Sequence, residues 1–239
     1  MRAGLFPAAL LSVALAACGA GEATPRLTVG VASSMTEAME ALGTAHEEAT
    51  LELSVAGSQV LVAQAREGAP LDVVITADAA TAQSLAELGL LSGDPIRFAG
   101  NRLAIAVRPG NPLGLAGPSD LADDAITLVL ASPDVPAGAY TQIALGNAGI
   151  ELAPDSLEPS VRAVLAKVRL GEADAGIVYA TDLTAGGVDG VAMPPEANLT
   201  TDYFAVVLEG GRTDLAARFV AFLQTPQAQT ILADLGFGS

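Results

Sequence analysis

Strand-like and helix-like patterns alternate along most of the chain, and this alternation restricts the possible folds more than any other feature. Residues 27–31 form a short apolar run, and residues 35–49 then place apolar side chains at helical spacing. Further strands are predicted over residues 51–55, 72–76, 102–107, 126–131, 175–179 and 203–208, and further helices over residues 59–66, 81–88, 161–170, 214–223 and 226–235. The repeated order of strand, helix and strand predicts an α/β fold with largely parallel sheets.

Composition and charge exclude several classes of function. Of the 239 residues, 51% are hydrophobic, which is enough to build a core. Eleven Lys and Arg residues stand against 27 Asp and Glu residues, and the resulting charge of −16 excludes nucleic acid as a partner. The single Cys rules out an internal disulfide framework and Cys-based zinc clusters, and the single His rules out any site that needs two imidazoles.

The first 18 residues predict a secretory signal. A short basic start precedes an uncharged run over residues 3–17, which is too short to span a bilayer. The sequence LAACG at residues 15–19 resembles the lipobox of bacterial lipoproteins, in which the Cys, here Cys18, becomes the first mature residue and carries lipid. An ordinary signal with an incidental Cys is the alternative. The expected location is periplasmic or at the cell surface of a bacterium, held to the membrane only by lipid, with residues 19–26 as a tether.

The sequence offers no catalytic constellation. It contains neither of the common glycine-rich nucleotide cradles and no G-x-S-x-G elbow. His46 falls on the polar side of the first predicted helix, where a solvated side chain is the simplest interpretation. Because neighbouring residues point apart, the pairs at residues 47–48 and 123–124 are interpreted as solubilising charge. We therefore expect no enzyme activity and no cofactor.

Four predicted helices begin with small, mostly uncharged residues: ASS at residues 32–34, AGS at 56–58, VPAG at 135–138 and EPSV at 158–161. The first turn of a helix has unpaired N–H groups and partial positive charge, so converging helix starts could bind an anion without Lys or Arg. Tyr179, at the end of a predicted strand, could add a phenolic donor. Taken one by one, these residues are equally consistent with ordinary helix caps.

Several sequence blocks resemble one family of proteins. They are ASSMTEAM at residues 32–39, GS at 57–58 with Gln64, GAPLDVVITAD at 68–78, NRL at 101–103, VPAGAY at 135–140, GEADAGIVY at 171–179 with TD at 181–182, and PQAQ at 226–229 leading to GF at 236–237. In this order and over residues 27–237, the chain resembles the periplasmic molybdate-binding proteins of molybdate ABC transporters. The resemblance implies a type II periplasmic binding protein, in which two α/β lobes are joined by two crossing strands and the ligand lies in the cleft. Lobe 1 would comprise residues 27–100 and 202–239, and lobe 2 residues 101–201.

The resemblance also implies a set of oxyanion donors, carried over by position. These are Ser34 and Ser58 through hydroxyl and backbone N–H, Ala137 and Val161 through backbone N–H, and Tyr179 through its hydroxyl. The first two would lie in lobe 1 and the others in lobe 2, so that binding closes the cleft. The ligand would be molybdate or tungstate, held through its oxygens with no direct metal ligands.

The remaining expectations concern partners and alternatives. The resemblance implies a membrane permease of an ABC transporter as partner and a monomeric binding protein. A receptor of the same fold for another oxyanion or a small organic acid is the main alternative. An enzyme on a similar fold and a structural lipoprotein are the others.

Overall fold

A computed structural model describes residues 24–195, 197–210 and 212–238. The predicted signal, Cys18 and the tether as far as residue 23 lie outside these residues. Within the part of the chain that is described, no helix is both long enough and apolar enough to cross a membrane.

The elements follow the predicted alternation. The first part of the chain forms β1 (Arg26–Ala32), α1 (Thr36–Ala45), β2 (Thr50–Ala56), α2 (Ser58–Arg66), β3 (Val73–Thr76) and α3 (Ala79–Glu87). The middle forms β4 (Ile96–Val107), β5 (Leu128–Ala131), α4 (Pro136–Ala148), β6 (Ser156–Glu158), α5 (Val161–Leu170), β7 (Ala175–Tyr179) and β8 (Asp189–Ala192). The chain ends with β9 (Thr200–Val207), α6 (Thr213–Leu223) and α7 (Pro226–Asp234).

Local chemistry explains several helix ends. The Ser160 side chain accepts a hydrogen bond from the Ala163 N–H at the start of α5, and Gly171 ends that helix with a φ of 73°. Thr225 caps α7 in the same way, with Pro226 at the first helical position, where the sequence predicts a helix to begin.

The strands form a continuous sheet in the order β2-β1-β3-β9-β4-β7-β5-β6, and β8 also pairs with β4. Strands β2, β1 and β3 are parallel to each other, as are β6, β5 and β7. Strands β4 and β9 pair with each other, and each also pairs with its other neighbours, in the antiparallel sense. The prediction of largely parallel sheets is therefore wrong for the centre, because hydrophobic periodicity does not record strand direction.

Strand β4 connects the two halves of the sheet. Residues 96–102 pair with β9, and residues 103–107 pair with β7. Each half carries three parallel strands with helices packed against them, which is the mixed α/β architecture that the resemblance implies. The exact lobe bounds, residues 27–100 with 202–239 and residues 101–201, stay a prediction.

The position of His46 differs from the sequence-based interpretation. Its side chain is only 6% exposed, and its ring lies 5.2 Å from the Phe219 ring and 5.0 Å from the Phe222 ring, centroid to centroid. The chain leaves α1 at this residue in an extended conformation, so the helical face no longer determines where the side chain lies. Burial lowers the pKa of His46, and its Nε2 has no hydrogen-bond partner among the described residues.

Replacing His46 should change the acid sensitivity of the fold. Because the pKa of His46 is lowered in the native state, the unfolded chain gains its proton first as the pH falls below about 6.5. The wild type should therefore lose unfolding free energy relative to His46→Leu, by at most about 1.4 kcal/mol per pH unit. Urea denaturation of both proteins at pH 7.5 and pH 5 would measure the difference. Parallel pH dependences would contradict the assignment.

Candidate functional site

All five residues predicted to bind a ligand line one small cavity. Ser34, Ser58, Ala137, Val161 and Tyr179 are each at most 3% exposed. The other lining residues are Ala32, Ser33, Gly57, Ala77, Val135 and Pro136. The structure thus brings together residues that are spread over 146 positions of the sequence, from Ser34 to Tyr179.

The cavity lies at the carboxyl ends of the parallel strands of both halves. In one half, β1 runs into Ser34, β2 into Ser58 and β3 into Ala77. In the other half, β5 leads to Val135–Ala137, β6 to Val161, and β7 ends at Tyr179 itself. Ligands of open α/β sheets bind at this edge, because loops and helix starts converge there.

The helix starts around the cavity leave backbone N–H groups without side-chain partners. Ala32, Gly57 and Val135, which precede the helical segments at Ser34, Ser58 and Ala137, make no side-chain cap within the described chain. The fourth start differs, because Ser160 caps α5. The first N–H groups of a helix lack partners in their own helix and carry partial positive charge. These helical segments therefore present backbone N–H donors to the cavity, and these donors carry no formal charge.

The two serine hydroxyls are arranged as donors. The Ser58 Oγ accepts a hydrogen bond of 3.1 Å from the Ala77 N–H, and the Ser34 Oγ accepts one of 2.9 Å from the Tyr203 hydroxyl. Since a protein donor already occupies each oxygen, the hydrogen of each hydroxyl remains for another acceptor.

Tyr179 adds a third hydroxyl. Its ring is 1% exposed, and its Oη has no hydrogen-bond partner among the described residues. Burial raises the pKa of Tyr179 well above its ordinary value, so the hydroxyl keeps its proton. The nearby Thr201 hydroxyl acts in the opposite direction and lowers this pKa, and its own hydrogen bond goes to the Ala77 carbonyl oxygen at 2.8 Å. A buried hydroxyl without a partner is costly unless a ligand completes it.

Two charged residues, Asp182 and Arg162, contact or neighbour residues of the cavity but do not line it. Asp182 is fully buried, and its Oδ2 accepts a 3.0 Å hydrogen bond from the Tyr179 N–H. Burial raises the pKa of Asp182 to about 7, while Arg162, whose Nε lies 2.9 Å from Oδ1, opposes that shift. Among the described lining residues none is charged, so the cavity itself is neutral.

Direct contacts join the two halves across the cavity. The Gln59 Nε2 donates to the Pro159 carbonyl oxygen at 2.9 Å, and the Arg162 guanidinium forms a two-pronged ion pair with Glu37, with one contact of 2.8 Å. A Cβ atom on Gly57 would lie 2.8 Å from that same carbonyl oxygen, so the backbones approach closely here. These contacts hold the two halves of the sheet together beside the cavity.

The sequence analysis did not identify several residues that contact the candidate donors. Tyr203 and Arg162 are adjacent to site residues in space, but no local pattern marks them. Tyr203 contacts Ser34 across 169 positions of sequence. Ala77, Asn101 and Asp182 do fall within the blocks that carry the family resemblance, which was the one available signal. No cluster of three or more potential metal-ligating side chains occurs in residues 24–195, 197–210 and 212–238.

The fold and this site define a class of bacterial solute receptor. The family described as "Bacterial extracellular solute-binding protein" matches residues 27–238, and the chain belongs to this family. The molybdate-binding protein ModA of Mycobacterium tuberculosis H37Rv is 34% identical over 98% of this chain and 93% of its own length. ModA of Escherichia coli K12 is 31% identical over 98% and 96%. The periplasmic molybdate-binding protein of Azotobacter vinelandii has a similar fold, with a TM-score of 0.73, 20% identity, and coverage of 89% of this chain and 99% of that one.

Proposed function

We propose that this protein captures molybdate or tungstate for an ABC importer. One observation carries the proposal: three buried hydroxyls and several uncapped helix starts converge on one cavity whose lining is uncharged. The names of the curated relatives support molybdate as the ligand.

The donors suit a tetrahedral dianion. Such an ion presents four acceptor oxygens and, at neutral pH, no proton. Ser34, Ser58 and Tyr179 would donate through hydroxyls, and Ala137 and Val161 through backbone N–H groups. A hydrogen bond to a charged partner contributes roughly 1.5–3 kcal/mol, so a few of them outweigh desolvation and closure.

A neutral site also suits an acidic protein. The net charge of −16 slows the approach of an anion, but salt screens charges beyond about 8–10 Å. Inside the cavity the fixed dipoles of hydroxyls and helix starts dominate. The size of the cavity would select molybdate and tungstate over the smaller sulfate.

This proposed role also implies the oligomeric state, the partner and the location of the protein. The protein would act as a monomer without enzyme activity and without a cofactor, and deliver its ligand to a membrane permease. Cys18 would carry the lipid that anchors the protein to a bacterial membrane, in the periplasm or at the cell surface. Closure would bring residues 27–100 with 202–239 against residues 101–201.

Calorimetric titration with four anions tests the proposal. Molybdate and tungstate should bind with similar affinity and far more tightly than sulfate or phosphate. In a thermal-denaturation series, an anion at about 100 times its Kd adds roughly 2.7 kcal/mol of stability, so only the large anions should raise the Tm at low concentration. Equal responses to sulfate and molybdate would refute the proposed ligand, and binding of an organic acid instead would support the alternative receptor.

A further inference from the structure

A chain of hydrogen bonds runs from the junction of the two halves to the cavity. It begins at Asn101 in β4, where the side-chain Oδ1 accepts from the Arg102 N–H at 2.8 Å. That bond fixes the orientation of the amide, so its Nδ2 faces the other way. The Nδ2 donates to the Thr181 Oγ1 at 2.8 Å and to the Tyr203 hydroxyl oxygen at 3.3 Å.

The direction of the next bond follows from the chemistry of the donors. An amide nitrogen has only hydrogens to offer, so the Tyr203 oxygen accepts from Asn101. Its single hydrogen is then free for Ser34, whose Oγ lies 2.9 Å away. Tyr203 is fully buried, and burial raises its pKa strongly, so this hydrogen is retained at neutral pH.

We propose that Tyr203 is a positioning residue for the ligand: by donating to the Ser34 Oγ, it forces the Ser34 hydroxyl to direct its own hydrogen into the cavity. This inference rests on the proposed oxyanion function. It adds two residues, Tyr203 and Asn101, that do not line the cavity.

The second serine shows the same arrangement with a different donor. Ser58 receives its hydrogen bond from the Ala77 backbone N–H, which is a donor that cannot reverse. Ser34 depends on a hydroxyl, which could donate or accept. Asn101 favours the donating direction, because it occupies one acceptor position of the Tyr203 oxygen and leaves the Tyr203 hydrogen for Ser34. The Asn101 amide thus has the same effect on Ser34, through Tyr203, as the Ala77 backbone N–H has on Ser58.

Tyr203 also has a packing role, and the test must separate packing by the ring from hydrogen bonding by the hydroxyl. Its ring lies edge-on to Tyr179 and Phe237, with centroid distances of 6.0 Å and 5.6 Å. Tyr203→Phe keeps this ring and removes only the hydroxyl. A purely structural role would change the Tm of the protein without changing affinity through Ser34.

The experiment is a double-mutant cycle on the full protein, with molybdate titrated by calorimetry. Tyr203→Phe should weaken binding roughly 3- to 10-fold, the share of one buried hydrogen bond. In the Ser34→Ala background the same change should weaken binding less than about 2-fold, because the hydrogen that it positions is gone. An equal factor in both backgrounds, or no loss in the wild-type background, would overturn the inference.

Asn101→Ala provides a second variant if Tyr203→Phe does not fold. Without the amide, the Tyr203 oxygen becomes free to accept from Ser34, which draws that hydrogen out of the cavity. Binding should again weaken severalfold, and again only when Ser34 is present. A loss that persists undiminished in Ser34→Ala would count against the inference. Failure of the unmodified protein to bind molybdate would instead refute the proposed function on which the inference rests.

Discussion

Tyr179→Phe should weaken oxyanion binding by roughly 1–3 kcal/mol, or about 5- to 150-fold in Kd. The substitution removes one hydroxyl and almost no volume, so the fold should tolerate it. Among the described residues this buried hydroxyl has no hydrogen-bond partner. Deleting it leaves a ligand oxygen unpaired among buried residues, which costs more than losing an exposed contact. Calorimetric titration with molybdate would measure the loss.

Ser84→Ala is the control, because it also deletes one hydroxyl, which lies on α3 and does not line the cavity. Its affinity should stay within about 2-fold of the wild type. A similar loss in both variants, or no loss in Tyr179→Phe, would place the site elsewhere.

Local chemistry made much of the fold predictable. Helix caps act within a few residues and can be read from the sequence. Ser160 and Gly171 bound α5, and Thr225 with Pro226 begins α7, where the sequence predicts these helices. The helix starts at Ser34 and Ser58 have no such cap, and the sequence indicates them only by small residues that directly follow a predicted strand. These small residues also leave room for a ligand, and the resemblance indicated which residues at the helix starts would donate.

Features that depend on distant partners were not predictable. Strand β4 begins at Ile96, whereas the pattern predicted a strand only from residue 102. Residues 96–101 include Arg97, Gly100 and Asn101, which weaken an apolar pattern, and they form a strand because β9 lies beside them. His46 is buried by α6, which lies more than 160 positions away. The contact of Tyr203 with Ser34 has the same long-range origin.

Arg162 lies next to the candidate site, and its ion pairs also contribute to the stability of the fold. It lies directly after the candidate ligand residue Val161 and contacts two acids, the exposed Glu37 across the cavity and the buried Asp182 behind Tyr179. Removing one partner of a buried ion pair typically costs 3–5 kcal/mol, because the remaining charge has no compensation. Arg162 is 22% exposed, so the lower end of that range applies.

Arg162→Met should therefore destabilise the protein in a pH-dependent way. In the wild type, burial raises the pKa of Asp182 to about 7, well above the value of an unfolded chain. The native state thus retains a proton that the unfolded state has lost, and unfolding free energy falls between about pH 4 and pH 7. Without Arg162 the pKa rises further, so the fall continues above pH 7 at about 1.4 kcal/mol per pH unit.

The difference between wild type and variant should consequently grow with pH. Near pH 6, where Asp182 is mostly protonated in both proteins, only the contact with Glu37 is lost, at about 1 kcal/mol or less. Above pH 8 the loss should approach about 3 kcal/mol, since ionised Asp182 is then uncompensated. Urea denaturation of the ligand-free proteins at pH 6, 7 and 8.5 would measure it.

Two variants separate the contributions of the acids to this effect. Glu37→Gln removes the exposed contact and also a negative charge that raises the pKa of Asp182, so its cost should stay below about 1 kcal/mol and should not grow above pH 7. In Arg162→Met combined with Asp182→Asn, the titrating group is gone, and the growth of the loss above pH 7 should disappear. If Arg162→Met were equally destabilising at pH 6 and pH 8.5, Arg162 would stabilise the fold by packing rather than by compensating the buried charge of Asp182.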